Sequence, residues 1–294
     1  MNSGIFFALG AYLSWGLFPL YFRQIATVPA LQIVAHRTIW SLAFVAVVLL
    51  ATGHLKWLRD VGAATWRRFT LSALLIAVNW LTYVWAVGHG HVLDASLGYF
   101  INPLVNVALG FAVLHERPRP AQWLAVGLAA FGVVWLTVAA GRLPWVALVL
   151  ALSFGLYGLM RKTAALGAIE GLTLETLILA PLAAGGLLWW SQDGSMAGQT
   201  AVDWAWLVGT GPVTAGSLLL FAAGARRIPL ATLGVVQYVS PSLQFLLGVF
   251  LFHEPMDATR LVAFGFIWSA LAVYSAEGLW QNRQARRALA VKPL

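Results

Sequence analysis

One pattern occurs twice in the chain, as GYFINPLVNVALGFAVLHER at residues 98–117 and as VQYVSPSLQFLLGVFLFHEP at residues 236–255. A shift of 138 residues superimposes the two stretches and aligns Pro103 with Pro241. Both copies also end in a His-Glu pair. This agreement indicates an internal repeat.

A second match supports the repeat and sets its bounds. At a shift of 139 residues, SWGLF at 14–18 aligns with SFGLY at 153–157. Two collinear matches at nearly the same shift are not expected from composition alone. The chain therefore predicts two related units, residues 1–140 and 144–280, followed by a basic tail at 281–294.

The composition places these units in a membrane. Of the 294 residues, 61% are apolar and 10% are charged, and the mean hydropathy is +0.81. Soluble domains carry about 25% charged residues. The chain has no cysteine, which excludes a disulfide scaffold and any Cys-ligated metal site. We therefore expect an all-α, polytopic membrane protein.

The apolar runs predict ten transmembrane helices, because a span needs about 20 mostly apolar residues. Five spans fall in each unit. An odd number per unit makes the second unit enter the membrane from the opposite side, so the repeat is inverted. Inverted repeats are typical of alternating-access transporters. The predicted spans are 4–22, 32–52, 69–88, 93–114, 121–139, 144–160, 172–191, 204–223, 230–252 and 261–279.

The positions of the cations predict the orientation. Fourteen of the 18 Lys and Arg residues lie on the side of the two termini, three lie on the other side, and Arg37 lies within a span. The positive-inside rule then places both termini in the cytoplasm, with the chain in the bacterial inner membrane and in contact with its lipid. The same asymmetry explains the net charge of +8 without a nucleic-acid partner.

Pro103 and Pro241 lie near the middle of spans 4 and 9 and predict helix breaks there. Backbone groups freed in lipid need a partner or a water-lined cavity. Polar side chains beside both prolines are therefore candidates for lining a substrate cavity. The alternative is a pair of kinked helices whose amides bond their neighbours. The candidates are Asn102, Asn106, Gln237, Ser240 and Gln244.

Aromatic residues inside the spans are further candidates for contacting a solute, and the alternative for each is helix packing or contact with lipid. Asn79, in mid-span 3, aligns with Ser217 in span 8, so both units place a polar group at similar depth. The aromatic candidates are Trp15, Trp80, Tyr83, Tyr99, Tyr157 and Tyr238.

Ionisable residues within spans are functional candidates by default. Arg37 and Glu175 lie near opposite faces of the membrane, and a shift of 139 places Glu175 on His36, next to Arg37. Our hypothesis pairs Arg37 with Asp94 and Glu175 with a cation at the end of span 8, as gates of swapped polarity. Alternatively, Arg37 snorkels to the headgroups and Glu175 is a first-turn anion. The cations in question are Arg226 and Arg227.

Other motifs argue against an enzyme. His89, His91 and Asp94 carry donor types that suit a metal, but they lie in a short polar turn, so we expect no metal and no cofactor. No nucleophile motif and no ATP-binding loop are present. Any pumping must therefore use a gradient, and the proton is the candidate coupling ion.

The chain resembles the drug/metabolite transporter superfamily, in its EamA-type branch, and in particular the RarD-type permeases. The resemblance covers about residues 3–280. It rests on four motifs: His36-Arg37 with Trp40-Ser41, Asn79-Trp80-x-x-Tyr83-x-Trp85, the run from Ala95 to Leu104, and Gln237-Tyr238-x-Ser240-Pro241. One departure is Asp94, where the family pattern leads us to expect Glu.

This resemblance implies a permease with a central cavity formed by spans 1, 3, 4, 6, 8 and 9. Related branches export amino acids and other small metabolites. Together, the sequence predicts a secondary transporter that moves a small organic solute, such as an amino acid, metabolite or drug, outward. The alternatives are a passive channel or a lipid scramblase, and the sequence carries no signal for an oligomeric state.

Overall fold

A computed structural model describes residues 3–53, 55–115, 117–162, 166–225, 227–228 and 236–290, apart from the side chains of residues 162, 225, 279 and 282–290. This part of the chain forms ten α-helices and contains no strand. They are α1 (Ser3–Arg23), α2 (Ala30–Thr52), α3 (Ala63–Gly88), α4 (Val92–Leu114), α5 (Pro120–Ala140), α6 (Trp145–Lys162), α7 (Ala168–Gln192), α8 (Ala201–Ala225), α9 (Val239–Leu246) and α10 (Ala258–Ala290).

The helices agree with the ten predicted spans. Eight are long and apolar enough to cross a membrane, and α6 and the segment Val239–Leu251 are shorter apolar helices. A π-helical turn, Leu247–Leu251, continues α9. Three bounds differ from the prediction by more than three residues: α3 begins at Ala63 rather than at 69, α7 begins at Ala168 rather than at 172, and α10 continues to Ala290, so that the basic stretch 281–290 is helical. The predicted start of span 9, at residue 230, lies outside the described residues.

The two units repeat in detail. α2 begins at Ala30 and α7 at Ala168, which are 138 residues apart. His115 and His253, also 138 apart, follow the ends of α4 and of the π-helical turn, and both adopt positive φ, of 52° and 53°. This conformation is uncommon for residues other than glycine. The two histidines thus follow the ends of equivalent segments.

The helices of one unit pack mainly on helices of the other. α1 packs on α8 and α9, α3 packs on α6 and α7, α2 packs on α7 and α8, and α4 packs on α6. α5 and α10, the last helices of the two units, pack together. The core is therefore shared between the units. We name the end of the bundle with Ser3 and Ala63 the near face, and the end with Arg23 and Ala30 the far face.

Small residues bring some of these helices into close contact. A Cβ atom added at Gly98 of α4 would lie 2.7 Å from the carbonyl oxygen of Ala147 in α6. A Cβ at Gly211 of α8 would clash with the backbone of Trp40 in α2. Small residues let membrane helices approach closely, and van der Waals packing and interhelical hydrogen bonds then hold them together.

Candidate functional site

Two related hydrogen bonds join the units in the middle of the bundle. Nε1 of Trp15 in α1 donates to Oγ of Ser217 in α8 at 2.8 Å. Nδ2 of Asn79 in α3 donates to Oγ of Ser153 in α6 at 3.1 Å. The repeat carries Asn79 onto Ser217 and Ser153 onto Ser14, next to Trp15. Each unit therefore binds the other through one shared position, that of Asn79 and Ser217, and through neighbouring positions on α1 and α6.

The amides that follow the two prolines form a second equivalent pair. Gln244 Nε2 lies 3.4 Å from Ser240 Oγ, and Asn106 Nδ2 lies 3.3 Å from Asn102 Oδ1, each one turn along its helix. Gln244 also donates to the carbonyl of Trp15 at 3.1 Å, and Asn102 donates to a carbonyl of α6 at 3.1 Å. These bonds connect α9 with α1 and α4 with α6.

The expected helix break at Pro103 is absent, since α4 runs through this residue from Val92 to Leu114. A membrane helix tolerates an interior proline where neighbouring helices, side chains and small backbone adjustments satisfy the freed backbone groups. Pro241 is the third residue of α9 and follows a turn at Gln237 and Tyr238. Its carbonyl accepts a bond from Ser96 Oγ of α4 at 2.8 Å.

Aromatic side chains enclose the Asn79 bond. The hydroxyl of Tyr99 donates to Asn79 Oδ1 at 3.3 Å, and the rings of Tyr83 and Tyr99 lie 5.8 Å apart. Trp80 and Tyr83 are buried, and the Tyr83 hydroxyl has no hydrogen-bond partner among the described residues. Since Asn79 is 2% exposed and Gln244 is 1% exposed, this group of polar side chains is closed to solvent in this conformation.

Arg37, the eighth residue of α2, lies at the edge of this group and is 4% exposed. Its Nε donates to Oγ1 of Thr214 at 2.9 Å, and its guanidinium lies 4.2 Å from the ring centre of Trp80. The site thus contains a fully buried cation.

Glu175, the eighth residue of α7, is the counterpart of Arg37 and is 1% exposed. Ser72 Oγ donates to its Oε1 at 2.6 Å, and the Tyr157 hydroxyl donates to its Oε2 at 3.2 Å. The guanidinium of Arg161 lies 3.9 Å away. The shared place in the two helices corrects the sequence alignment, because a shift of 138 aligns Glu175 with Arg37 and not with His36.

The pairing that we expected for Asp94 differs from the observed one. Asp94 lies 3.7 Å from Arg260 of α10 and accepts a bond from His91 at 2.9 Å, if that ring nitrogen carries the proton, while Arg37 is bound to Thr214. The expected pairing rested on the similar depth of Arg37 and Asp94 along their helices, but the two side chains face different neighbouring residues.

Among the described residues, the basic neighbour of Glu175 is Arg161 and not Arg227. The expected pairing with Arg226 stays a prediction. Arg227 is exposed, donates to the carbonyl of Ala223 at 2.7 Å and lies over the ring of Phe7. Arg226 lies outside the described residues.

The remaining candidates lie apart from the central group. Tyr157 contacts Glu175, and Asn106 is exposed. Tyr238 stacks on Phe100 at 6.5 Å, and Gln237 is half-buried in the turn beside it. The structure therefore brings together Trp15, Asn79, Trp80, Tyr83, Tyr99, Ser240 and Gln244 with Arg37, and places the others around them.

Two shallow apolar grooves lie outside this group, on the seams of α8 with α1 and with α2. The first, of about 390 Å³, is lined by Tyr21, Trp206 and Pro212, among others. The second, of about 210 Å³, is lined by Trp40, Phe44 and Pro212, among others. Their apolar walls suit lipid chains rather than a polar solute.

Comparison with known proteins identifies the chain. The sequence pattern of the EamA-like transporter family matches residues 2–138. An uncharacterized transporter of Pseudomonas aeruginosa is 50% identical over 289 residues, which cover 96% of each chain. Protein RarD of Escherichia coli is 43% identical over 290 residues, which cover 97% of this chain and 98% of that protein. The chain belongs to the EamA-like transporter family.

This EamA-like transporter is a multi-pass bacterial membrane protein of the drug/metabolite transporter superfamily. A crystal structure that is 21% identical covers 94% of the chain and 97% of its own, with a TM-score of 0.61. That likeness shows that the two proteins share the fold.

Sequence reasoning missed Glu254, which joins the units of this transporter at the far face. Its carboxylate is buried and accepts the backbone N–H groups of Val92 at 2.6 Å and of Leu93 at 2.8 Å. These groups belong to the first turn of α4, where backbone donors have no partner within the helix. The only signal in the sequence was the His-Glu pair, which occurs in both repeats.

We expect Glu254→Gln to lower the melting temperature of the transporter in detergent, because the amide nitrogen would face a backbone donor. A buried group left without its partner costs about 1–3 kcal/mol. The matched control is Glu277→Gln, whose partner Arg119 is 51% exposed, since exposed pairs contribute about 0–1 kcal/mol. Equal melting temperatures for the two variants would contradict the capping role.

Proposed function

We propose that the protein is a secondary carrier that moves a small organic solute out of the cell by alternating access. The observation that carries the proposal is the set of buried hydrogen bonds between the units. These bonds connect α1, α3 and α4 with α6, α8 and α9, the same six helices to which the family resemblance assigns the cavity. Transporter binding sites lie between inverted repeats near the middle of the membrane.

We further propose that polar contacts between the units close the two faces in turn. At the far face, Asp94 of the first unit lies against Arg260 of the second. Nearer the other face, Ser72 of the first unit donates to Glu175 of the second. A solute released on either side must separate one of these contacts, so they are candidate gates in place of the pairs expected from the sequence.

Counterflow in liposomes tests the proposal against its alternatives. Unlabelled solute loaded inside accelerates the entry of labelled solute through a carrier, whereas a channel gives no such acceleration. Candidate solutes come from a melting-temperature screen of amino acids, amines and amphenicols, because a ligand that binds only the folded state stabilises it by mass action. Rapid exchange of fluorescent lipid between the leaflets, without counterflow, would favour a scramblase.

We expect Gln244→Ala to reduce the affinity for a solute found in that screen by about tenfold or more, since a lost polar contact in a buried site is worth about 1–3 kcal/mol. The matched control is Gln192→Ala at the exposed end of α7, which should bind the solute as the unaltered protein does. Unchanged affinity in Gln244→Ala would place the solute elsewhere.

The proton is the proposed coupling ion, and Glu175 is the acid that would carry it. We expect Glu175→Gln to retain counterflow, which needs no coupling, and to lose solute accumulation driven by a pH gradient. Asp193→Asn in the exposed loop after α7 is the control and should retain both activities. A Glu175→Gln protein that still accumulates solute would exclude this residue as the proton carrier.

We also propose that both termini face the cytoplasm. The chain has no cysteine, so a single introduced thiol reports on one position. An impermeant maleimide should label Gln192→Cys, at the far face, on intact spheroplasts, and should label Lys56→Cys, at the near face, only after permeabilisation. Both positions are exposed. The opposite pattern of labelling would reverse the orientation.

A further inference from the structure

Arg37 has no anionic partner among the described residues. Each residue in contact with its guanidinium is neutral: the hydroxyl of Thr214 accepts one bond, and the rings of Trp80, Phe18 and Phe22 lie 4.2, 5.7 and 5.6 Å away. A guanidinium has five N–H donors, and here one of them is bonded within the described structure. A charge so deeply buried is unfavourable unless it is paired.

Comparison of the two units shows why Arg37 lacks a counter-ion among the described residues. Arg37 and Glu175 occupy the same place in α2 and α7. At the shift of 139 that relates α1 to α6, Arg161, the cation beside Glu175, corresponds to Phe22, a ring beside Arg37. The carboxylate therefore has its counter-ion within the chain, while the guanidinium faces an aromatic ring at the equivalent place.

The surroundings of Arg37 contain a second group without a partner. The hydroxyl of Tyr83 is buried and donates to no described acceptor, and the Tyr83 ring lies 6.1 Å from the ring of Phe22, which also contacts the guanidinium of Arg37. A carboxylate has two oxygens with about four acceptor sites, and it binds a guanidinium with both oxygens in one plane. It would accept from Arg37 and Tyr83 at once, while the rings of Trp80, Phe18 and Phe22 would contact an apolar remainder.

We propose that the solute is an organic carboxylate with an apolar remainder, and that Arg37 and Tyr83 bind its carboxylate group. This inference rests on the proposed carrier function and names the chemical class of its solute. The carboxylate group of the bound solute then supplies the counter-ion that Arg37 lacks among the described residues.

Binding to the purified full-length protein tests the proposal. The probes are 3-phenylpropionate and 4-methyl-2-oxopentanoate, each compared with its amide at equal ionic strength in sodium chloride. We expect the carboxylates to raise the melting temperature and the amides to leave it unchanged. Arg37→Gln should weaken carboxylate binding by about tenfold to a hundredfold, as is typical for loss of a charge-assisted pair, and Tyr83→Phe should weaken it less.

Several outcomes would overturn the proposal. These are stabilisation by neither carboxylate, equal stabilisation by the amides, or unchanged carboxylate affinity in Arg37→Gln. Inorganic phosphate and phosphatidylglycerol are a separate arm of the test. Stabilisation by these alone would assign Arg37 to a phosphate group and would also overturn the proposal.

A second measurement needs no ligand. If Arg37 awaits an anion, then Arg37→Gln removes an uncompensated charge, and the unliganded variant should melt at the same or a higher temperature. Arg161→Gln is the matched control: it leaves the Glu175 carboxylate without its cation and should melt at a lower temperature. A fall in Arg37→Gln as large as the fall in Arg161→Gln would show a structural role and overturn the proposal.

Failure of this inference can be told from failure of the carrier function. If an amide or amine shows counterflow and Arg37→Gln leaves that counterflow unchanged, the carrier function is supported and the proposed carboxylate solute is overturned. Carboxylate binding that depends on Arg37, without counterflow, would support the anion site and contradict the carrier.

Discussion

Inside a bilayer, a polar side chain has no water to bond, so its partner must come from the protein itself. In this chain, four central amide and indole donors find partners in the other unit. Trp15 reaches Ser217, and Asn79 reaches Ser153, across the seam between the repeats. Asn102 and Gln244 likewise donate to backbone carbonyls of the other unit, so these helices have to pack across the seam. The two halves of the chain are therefore obligatory partners.

The repeat is regular in its backbone and divergent in its charges. Equivalent helices begin 138 residues apart and equivalent histidines share an uncommon backbone conformation, yet the eighth residue is Arg37 in α2 and Glu175 in α7. Phe22 and Arg161 diverge in the same way beside them. The backbone preserves the packing that both units need, while the differing side chains place a cation without a described counter-ion in α2 and a carboxylate with its own cation in α7.

Much of this architecture could be predicted from the sequence, since it follows from apolar run lengths and from the repeat. The ten helices and the all-α membrane architecture were predictable in this way, while the division into two units and the solute-binding roles of Trp15, Asn79 and Gln244 stay predictions. The hydrogen-bond and ion-pair partners of the polar side chains were not predictable from the sequence. Run length gives the depth of a residue along its helix, but the side that it faces depends on which helices pack together. Arg37 was therefore predicted at the right depth with the wrong partner, Asp94.

Glu254 links the two units mechanically. Its two oxygens hold two successive backbone donors at the start of α4, so α4 cannot rotate or slide against that segment without losing both bonds. In this conformation Glu254 therefore ties the far end of α4 to the chain after α9, directly beside the contact between Asp94 and Arg260. Opening of the far face between these two segments has to break the two backbone bonds of Glu254 together with that contact.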